Sequence, residues 1–484
     1  MRPHLLVLYT LIFCIANKGF TQKPTTQVVI NCKTCVGQKA SVSVEDLFTG
    51  GTSKLAEAVI NPSGLATLNI PLTDTLLTIA KIGPGEMGQD SVYTLFLVPD
   101  QTLKLTMTGS ETLFEGELSV MNQYLYQSHM VAGKVLDKAS AVVSQFRNMS
   151  KEEQKKFKAT FGAEFSPLHQ AIRNDKLVPA PLKEFIIDNN TFLVQWRRSW
   201  LGGLDHDAIE KESGYNAPAF LQNLPIKASY LKANMGMYRS VIDYEIITNL
   251  HGSLYFALKK DGQEKNTDSL IYLTEKAIKS NRRIAPIREF VQAYNFVKLL
   301  SDYGLRPSVA QLYANFREEY PNSPYLSNLA PIVERYNDLA EGKPAKDFVA
   351  TDKHGNEVRL SDFKGKIVYL DTWATWCVPC LAEFPNSKKM IEHYQGNEEV
   401  VFLFVSTDKD TEKWKTFLKS DKAPGGFHVN QNSQEEEGGI YSLYRMSGIP
   451  HYILIDQQGK IKANHAPRPS DMEIYGLIDG LLAK

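Results

Sequence analysis

The sequence predicts three folded regions in series: a small all-β, sandwich-like region over 27–117, an α-helical region over 118–340, and an α/β domain over 344–484. Three observations predict it. Short strands punctuated by Gly and Pro turns come first, then apolar residues spaced three and four apart, then continuous apolar strands alternating with helices. At 484 residues the chain has room for roughly two to four domains. Lys plus Arg and Asp plus Glu each number 54, so the net charge is zero. That balance gives no electrostatic footprint for nucleic acid or anionic lipid.

The amino terminus carries its own signal. Met1 to His4 are weakly basic, and Leu5 to Ala16 form an apolar run too short to span a bilayer but suited to the core of a secretory signal. Residues 1–22 are therefore expected to be a signal peptide. Phe13 before Cys14 is too bulky for a lipoprotein site, so a lipid anchor is not expected; no other apolar run approaches the length of a membrane span, so the mature protein is expected to be soluble.

The β-region is read from Val28–Ile30, Ser41–Val44, Ala66–Ile70, Leu76–Ile79, Tyr93–Val98 and Leu103–Met107, six short strands of a small antiparallel sandwich or barrel. Helical spacing then shows in Glu152–Phe161 and Phe290–Leu300, and Phe192, Trp196 and Trp200 make an aromatic stripe suited to core packing. No fixed repeat is evident. Glu341 to Pro344 read as a short linker. In the last region, Ile367–Trp373, Val400–Ser406 and Tyr452–Ile455 read as buried strands, and Asp456 to Gly459 as a hairpin turn leading to a strand at Ile461. Glu383–Tyr394, Glu412–Leu418 and Met472–Leu482 read as helices, the last opened by a capping box at Ser470 and Glu473.

With Cys14 removed, four cysteines remain in two pairs of identical spacing, Cys32/Cys35 and Cys377/Cys380. Cys377 falls where a strand gives way to a helix. Unpaired N–H groups and the helix dipole favour a thiolate there, and a second sulfur three residues on can close onto the first. Pro379 is tolerated in the first turn, where its missing N–H costs nothing. Such a dithiol attacks a disulfide through Cys377 and resolves the mixed disulfide through Cys380. A zinc half-site, completed by Cys32 and Cys35, is the alternative for these thiols. No helix-forming run follows Cys35, so that pair reads as an oxidised structural pair, with a second redox station as the alternative. Neither pair precedes a histidine, which excludes covalent haem attachment.

The run Trp376-Cys377-Val378-Pro379-Cys380, with Gly365-Lys366-Ile367-Val368 before it and Glu383 and Pro385 after it, resembles the thioredoxin superfamily, in particular its exported TlpA/ResA-like branch. The resemblance covers 344–484 and implies a thioredoxin-like fold. It implies that Asp371, six residues before Cys377, is a buried proton carrier, and that Glu383 matches the family's acid after the second cysteine, with a first-turn acid that only stabilises the helix dipole as the alternative. Pro450, after Ile449, matches the family's cis-proline that holds substrate backbone. Trp376, Val378 and Pro379 would complete the substrate-facing surface. His451 is expected to have a strand-end packing or surface role rather than to act as a base.

The whole chain looks like multidomain periplasmic proteins of Bacteroidetes-type bacteria. That implies reduction of client-protein disulfides, apocytochrome c among the clients, with electrons from a membrane donor and no cofactor or metal. A disulfide oxidase or isomerase using the same residues is the alternative, as is a binding protein with a vestigial redox domain. The client, donor and oligomeric state are not written in the sequence.

Overall fold

The computed structural model describes residues 25–49, 51–72, 76–83, 91–108, 111–146, 148–202, 225–260, 267–431 and 438–483. The expected signal segment with Cys14 lies outside the described residues, as does the side chain of Trp200. The chain forms two compact units that meet at Ser253 and Leu254, inside the helical stretch. Among the described residues no helix is long and apolar enough to cross a membrane.

The first unit opens with eight strands: β1 (Thr25–Cys32), β2 (Lys39–Glu45), β3 (Thr52–Val59), β4 (Leu65–Pro71), β5 (Leu76–Gly83), β6 (Ser91–Leu97), β7 (Thr102–Thr108) and β8 (Glu111–Glu115). They form two four-stranded sheets, ordered β4-β1-β7-β8 and β3-β2-β5-β6. Val28, Ile30, Leu68 and Leu105 of the first sheet share one apolar core with Val42, Leu95 and Leu97 of the second. Two strands escape the sequence reading, and both are sheet edges. β3 contains no buried residue, so the apolar alternation that marks a strand is missing from it. β1 runs antiparallel to β4 but parallel to β7, which departs from a purely antiparallel sheet. The two strands are remote in sequence, so no hairpin imposes antiparallel order.

Helices follow: α1 (Ser119–Phe146), α2 (Lys151–Thr160), α3 (Ser166–Asn174), α4 (Ala180–Gly202), α5 (Ala228–Lys232), α6 (Gly236–Val241) and, after a π-helical stretch over Ile242–Thr248, α7 (Asn249–Lys260). The Ser150–Glu153 capping box starts α2. Asn122 of α1 ties the helices to the sheets: its Oδ1 accepts from Phe96 N at 2.8 Å and its Nδ2 donates to Phe96 O at 3.1 Å. Phe192 of the aromatic stripe is buried against Tyr230 and Tyr238.

The second unit begins with α8 (Thr267–Ser280), α9 (Arg288–Tyr303), α10 (Pro307–Glu319) and α11 (Leu326–Asn337). It continues through β9 (Val349–Asp352), β10 (Glu357–Arg359), β11 (Ile367–Trp373), α12 (Val378–His393), β12 (Val400–Ser406), α13 (Thr411–Leu418), β13 (Phe427–Asn430), α14 (Ile440–Tyr444), β14 (His451–Ile455), β15 (Ile461–Ala463) and α15 (Glu473–Leu482). Seven strands make one sheet in the order β10-β9-β13-β12-β11-β14-β15. β11 and β12 are fully buried, as their unbroken apolar runs require, and pair in parallel at the centre. Each face of the sheet has its own core. One is built on Ile367, Tyr369, Trp373 and Phe404 with Met390 of α12 and Ile478 of α15; the other is built on Val368, Leu370 and Val405 with Tyr444 of α14.

The stretch read as a linker is fastened down. Gly342 N donates to Ile461 O, and Ile461 N to Lys343 O, both at 2.8 Å. The capping box expected at Ser470 does not form: α15 starts at Glu473 without a side-chain cap. Ser470 points elsewhere.

Candidate active site

Cys377 and Cys380 are bonded to one another, with their Cα atoms 5.3 Å apart. Cys377 is the N-cap of α12 in extended backbone conformation, with Pro379 in the first turn, and Cys380 N donates to Cys377 Sγ at 3.2 Å. Both sulfurs lie in the apolar cluster with Trp373, Phe384 and Tyr452. The flanking residues face outward: Trp376 is 58% exposed and Val378 75%, and Pro379 is exposed as well. The pair is thus buried from behind and approachable past its neighbours.

The loop from β11 to α12 is anchored by a residue that sequence reading passed over. Asp408, buried just beyond the end of β12, accepts from Thr375 N at 2.9 Å and from Thr375 Oγ1 at 2.7 Å. Ser406 Oγ and Asp408 hydrogen-bond to each other, and Asn430 Nδ2 donates to Asp408 O at 3.0 Å. A signal was available: Asp408 sits at the carboxyl end of a central parallel strand, where open α/β sheets build their sites.

The Ile449–Pro450 peptide bond is cis. Pro450 immediately precedes β14, and His451 pairs with Thr372 of β11, which brings the proline to the sheet end from which the cysteine loop departs. Ile449 packs against the cluster that holds both cysteines. His451 is buried, with its ring against His465 at 4.6 Å, and burial and that neighbour push its pKa down to about 3. A neutral packing residue results.

Beneath α12 lie two carboxyl groups. Asp371 alternates along β11 with Ile367, Tyr369 and Trp373, so it faces the same core as α12. It is 1% exposed, and neither carboxyl oxygen has a hydrogen-bond partner among the described residues. Burial without partners, and then the charge of Glu383, push its pKa well above the usual carboxylate range. Glu383 lies one helical turn beyond Cys380 and is buried, but it is well supplied with donors: Ser470 N at 3.1 Å and Ser470 Oγ at 2.9 Å. Arg468 Nη1 stands 3.9 Å from Glu383 Oε1. Tyr452, in register with Asp371, has a buried hydroxyl without a partner among the described residues, and its ring stacks on Tyr369 at 5.7 Å. Tyr369 Oη donates to Pro467 O at 2.8 Å.

All nine sequence-selected residues therefore fall in one region around the end of β11 and the start of α12 and β14. Thr375, Asp408, Arg468, Ser470 and Tyr452 join them. Among the described residues no group of three or more His, Cys, Asp or Glu side chains is arranged to hold a metal ion.

Residues 340–475 match the redoxin family model. A stretch of 120 residues is 32% identical to the thiol-disulfide oxidoreductase ResA of Bacillus thuringiensis, which is 25% of this chain and 66% of that protein. A stretch of 124 residues is 32% identical to ResA of Geobacillus kaustophilus, 26% of this chain and 68% of the relative. The chain thus spans just under two thirds of the length of the Bacillus relative. Among solved structures, the thioredoxin domain of a thiol-disulfide oxidoreductase from Bacteroides vulgatus is 33% identical, with a TM-score of 0.27 over 29% of this chain and 97% of that one.

Proposed function

Through residues 340–475 this chain belongs to the redoxin family of the thioredoxin superfamily, in its TlpA/ResA-like thiol–disulfide oxidoreductase branch, and from that premise we propose that it reduces disulfides of exported client proteins. The observation that carries the reading is the placement of Cys377 as N-cap of the sixteen-residue helix α12, below an exposed rim and above a buried carboxyl pair. The Cys380 N–H aimed at Cys377 Sγ and the helix N-terminus stabilise a thiolate at Cys377.

That thiolate attacks a client disulfide, forming a Cys377–client bond and expelling the second client sulfur as a thiolate. Cys380 then gives its proton to Asp371 and attacks Cys377 Sγ. The Cys377–Cys380 bond forms, and the electron pair of the mixed disulfide leaves with the client thiolate. The client gains two electrons and the protein loses two. A raised carboxyl pKa suits this exchange, because a carboxylate at its ordinary value is too weak a base to take a thiol proton. Ile449, cis-Pro450, Trp376, Val378 and Pro379 form the surface on which client backbone lies. The setting in this proposal is the periplasm, reached with the segment 1–22, where a membrane donor returns electrons and apocytochrome c is one candidate client.

The reduction potential of the Cys377/Cys380 couple, in a full-length variant with Cys32 and Cys35 replaced by Ser, tests the direction. A value near the thioredoxin end, about −270 mV, is expected. A value near the strong-oxidant end, about −120 mV, overturns the reductase reading in favour of a disulfide donor. A Cys380→Ser variant should in parallel accumulate clients as mixed disulfides at Cys377.

A further inference from the structure

Two buried carboxyl groups close to one dithiol invite the question of which one handles the proton, and the strap between β15 and α15 answers it. Sequence periodicity makes Ser470 a helix cap, yet both its donors serve Glu383: the backbone N–H meets Oε2 at 3.1 Å and the hydroxyl meets Oε1 at 2.9 Å. Arg468, two residues earlier on the same strap, adds positive charge 3.9 Å from Oε1. Asp371 receives nothing comparable. Its two oxygens are buried without a partner among the described residues.

We infer that Ser470 is a positioning residue for thiol–disulfide exchange: its paired donors fix Glu383 as the anionic member of the Asp371–Glu383 pair and leave Asp371 as the group that takes the Cys380 proton. Charge-assisted hydrogen bonds favour the ionised form of the group that receives them, and burial favours the neutral form of the group that does not. The division of labour therefore follows from where donors are placed. It does not follow from residue type, since both groups are carboxylic acids. The other groups facing Asp371 leave the assignment intact. Tyr369 and Tyr452 are phenols whose pKa values are raised by burial, so they stay neutral, and Arg468 is spent on Glu383.

The inference rests on Cys377 and Cys380 being the reacting pair, and the test separates the two claims. Reduced full-length protein, with Cys32 and Cys35 replaced by Ser, is mixed with 5,5′-dithiobis(2-nitrobenzoate), and release of the coloured thiolate is followed between pH 5 and 9. Attack by Cys377 releases the first thiolate. Resolution by Cys380 releases the second, forms the Cys377–Cys380 disulfide and passes the Cys380 proton to Asp371. Without the Ser470 hydroxyl, one of the two donors that hold Glu383 beside Asp371 is gone, the charge that keeps Asp371 neutral is no longer fixed there, and Asp371 ionises at lower pH.

Ser470→Ala should therefore move the acidic limb of the second phase to lower pH. Resolution should be roughly 3- to 10-fold faster below the parent midpoint and within about twofold of the parent at high pH, the effect of a limb moved by up to about one pH unit. Ser470→Thr should restore the parent midpoint, and Ser470→Ala should add nothing once Glu383→Gln is present. Arg468→Gln should move the limb the same way by less, which keeps the test open if Ser470→Ala does not fold. An unmoved limb in Ser470→Ala or Arg468→Gln, or a shift that persists in the Glu383→Gln background, overturns the inference and leaves the dithiol reading standing. Loss of the first phase in the parent protein overturns both.

Discussion

Cys32–Cys35 and Cys377–Cys380 share a spacing, a bonded state, an apolar setting and a Cα separation of 5.3 Å, and they differ in the elements that carry the sulfurs and in the groups nearby. Cys32 ends a strand, and Cys35 closes a three-residue 3-10 turn that leads into a second strand. No extended helix follows, so neither dipole nor converging N–H groups favour a thiolate there. Cys377 heads sixteen residues of helix and receives an N–H directly on its sulfur. Both cysteines of the first pair sit in the apolar core shared by the two sheets, and among the described residues of the eight strands no Asp or Glu is buried. Spacing makes a disulfide feasible in both places. Helix, rim and carboxyl pair surround only the second, which is why the proposed chemistry is assigned there.

The largest expected effect sharpens that contrast. Cys377→Ser should lower disulfide reductase activity by roughly 10³-fold or more, whereas Cys32→Ser should leave it within about twofold. Insulin reduction by the two full-length variants reads both, and comparable losses would erase the distinction. A second effect isolates the carboxyl pair. Asp371→Asn should slow resolution of the mixed disulfide by roughly 10²-fold at neutral pH, the range of a lost general base.

The same substitution should change the dependence of stability on pH. A carboxyl whose pKa is raised on folding contributes stability below its unfolded value of about 4, and that contribution is lost as pH rises through the folded value. Denaturation midpoints should therefore turn in favour of the Asn variant towards alkaline pH. A constant difference would place Asp371 in a wetter site than the structure shows.

The smallest effect lies at the edge of the site. His451 and His465 have pKa values pushed down to about 3 and about 4 by burial, and His465 Nε2 lies 2.8 Å from Ser301 O of α9. The stability that these neutral rings contribute is present above the ordinary histidine value of 6.5 and is lost as pH falls through 4 towards 3. His465→Gln should flatten that acid limb, by about 2 kcal/mol at pH 4, when unfolding is followed at pH 4 and pH 7.

How far the sequence discloses this molecule depends on what each residue is used for. Ile367–Trp373 and Val400–Ser406 are legible to the residue because a strand buried on both faces leaves an unbroken apolar run. β9, β10 and β13 are three or four residues long and partly exposed, and nothing in their composition separates them from loop. That the nine candidate residues lie together is legible because they cluster at one motif and at a proline whose family match is specific. Ser470 and Asp408 are not, since each works on a partner far along the chain: 87 residues separate Ser470 from Glu383, and 33 separate Asp408 from Thr375. Local pattern even misassigns Ser470, because Ser followed three residues later by Glu is a capping signature wherever no competing acceptor is buried nearby.

The hydrogen bonds that fasten 342–345 to β15 also bear on where this protein can be cut. A fragment starting at Pro344, as the apparent linker invites, would strip the Ile461 carbonyl of its Gly342 donor and the Ile461 amide of its Lys343 acceptor. It would leave His465 without the Ser301 carbonyl as well. β15 would become a frayed edge beside the strap that carries Arg468 and Ser470. A fragment starting at Leu254 keeps all of these contacts, and it is about two thirds longer than the piece from Pro344 that the motif suggests.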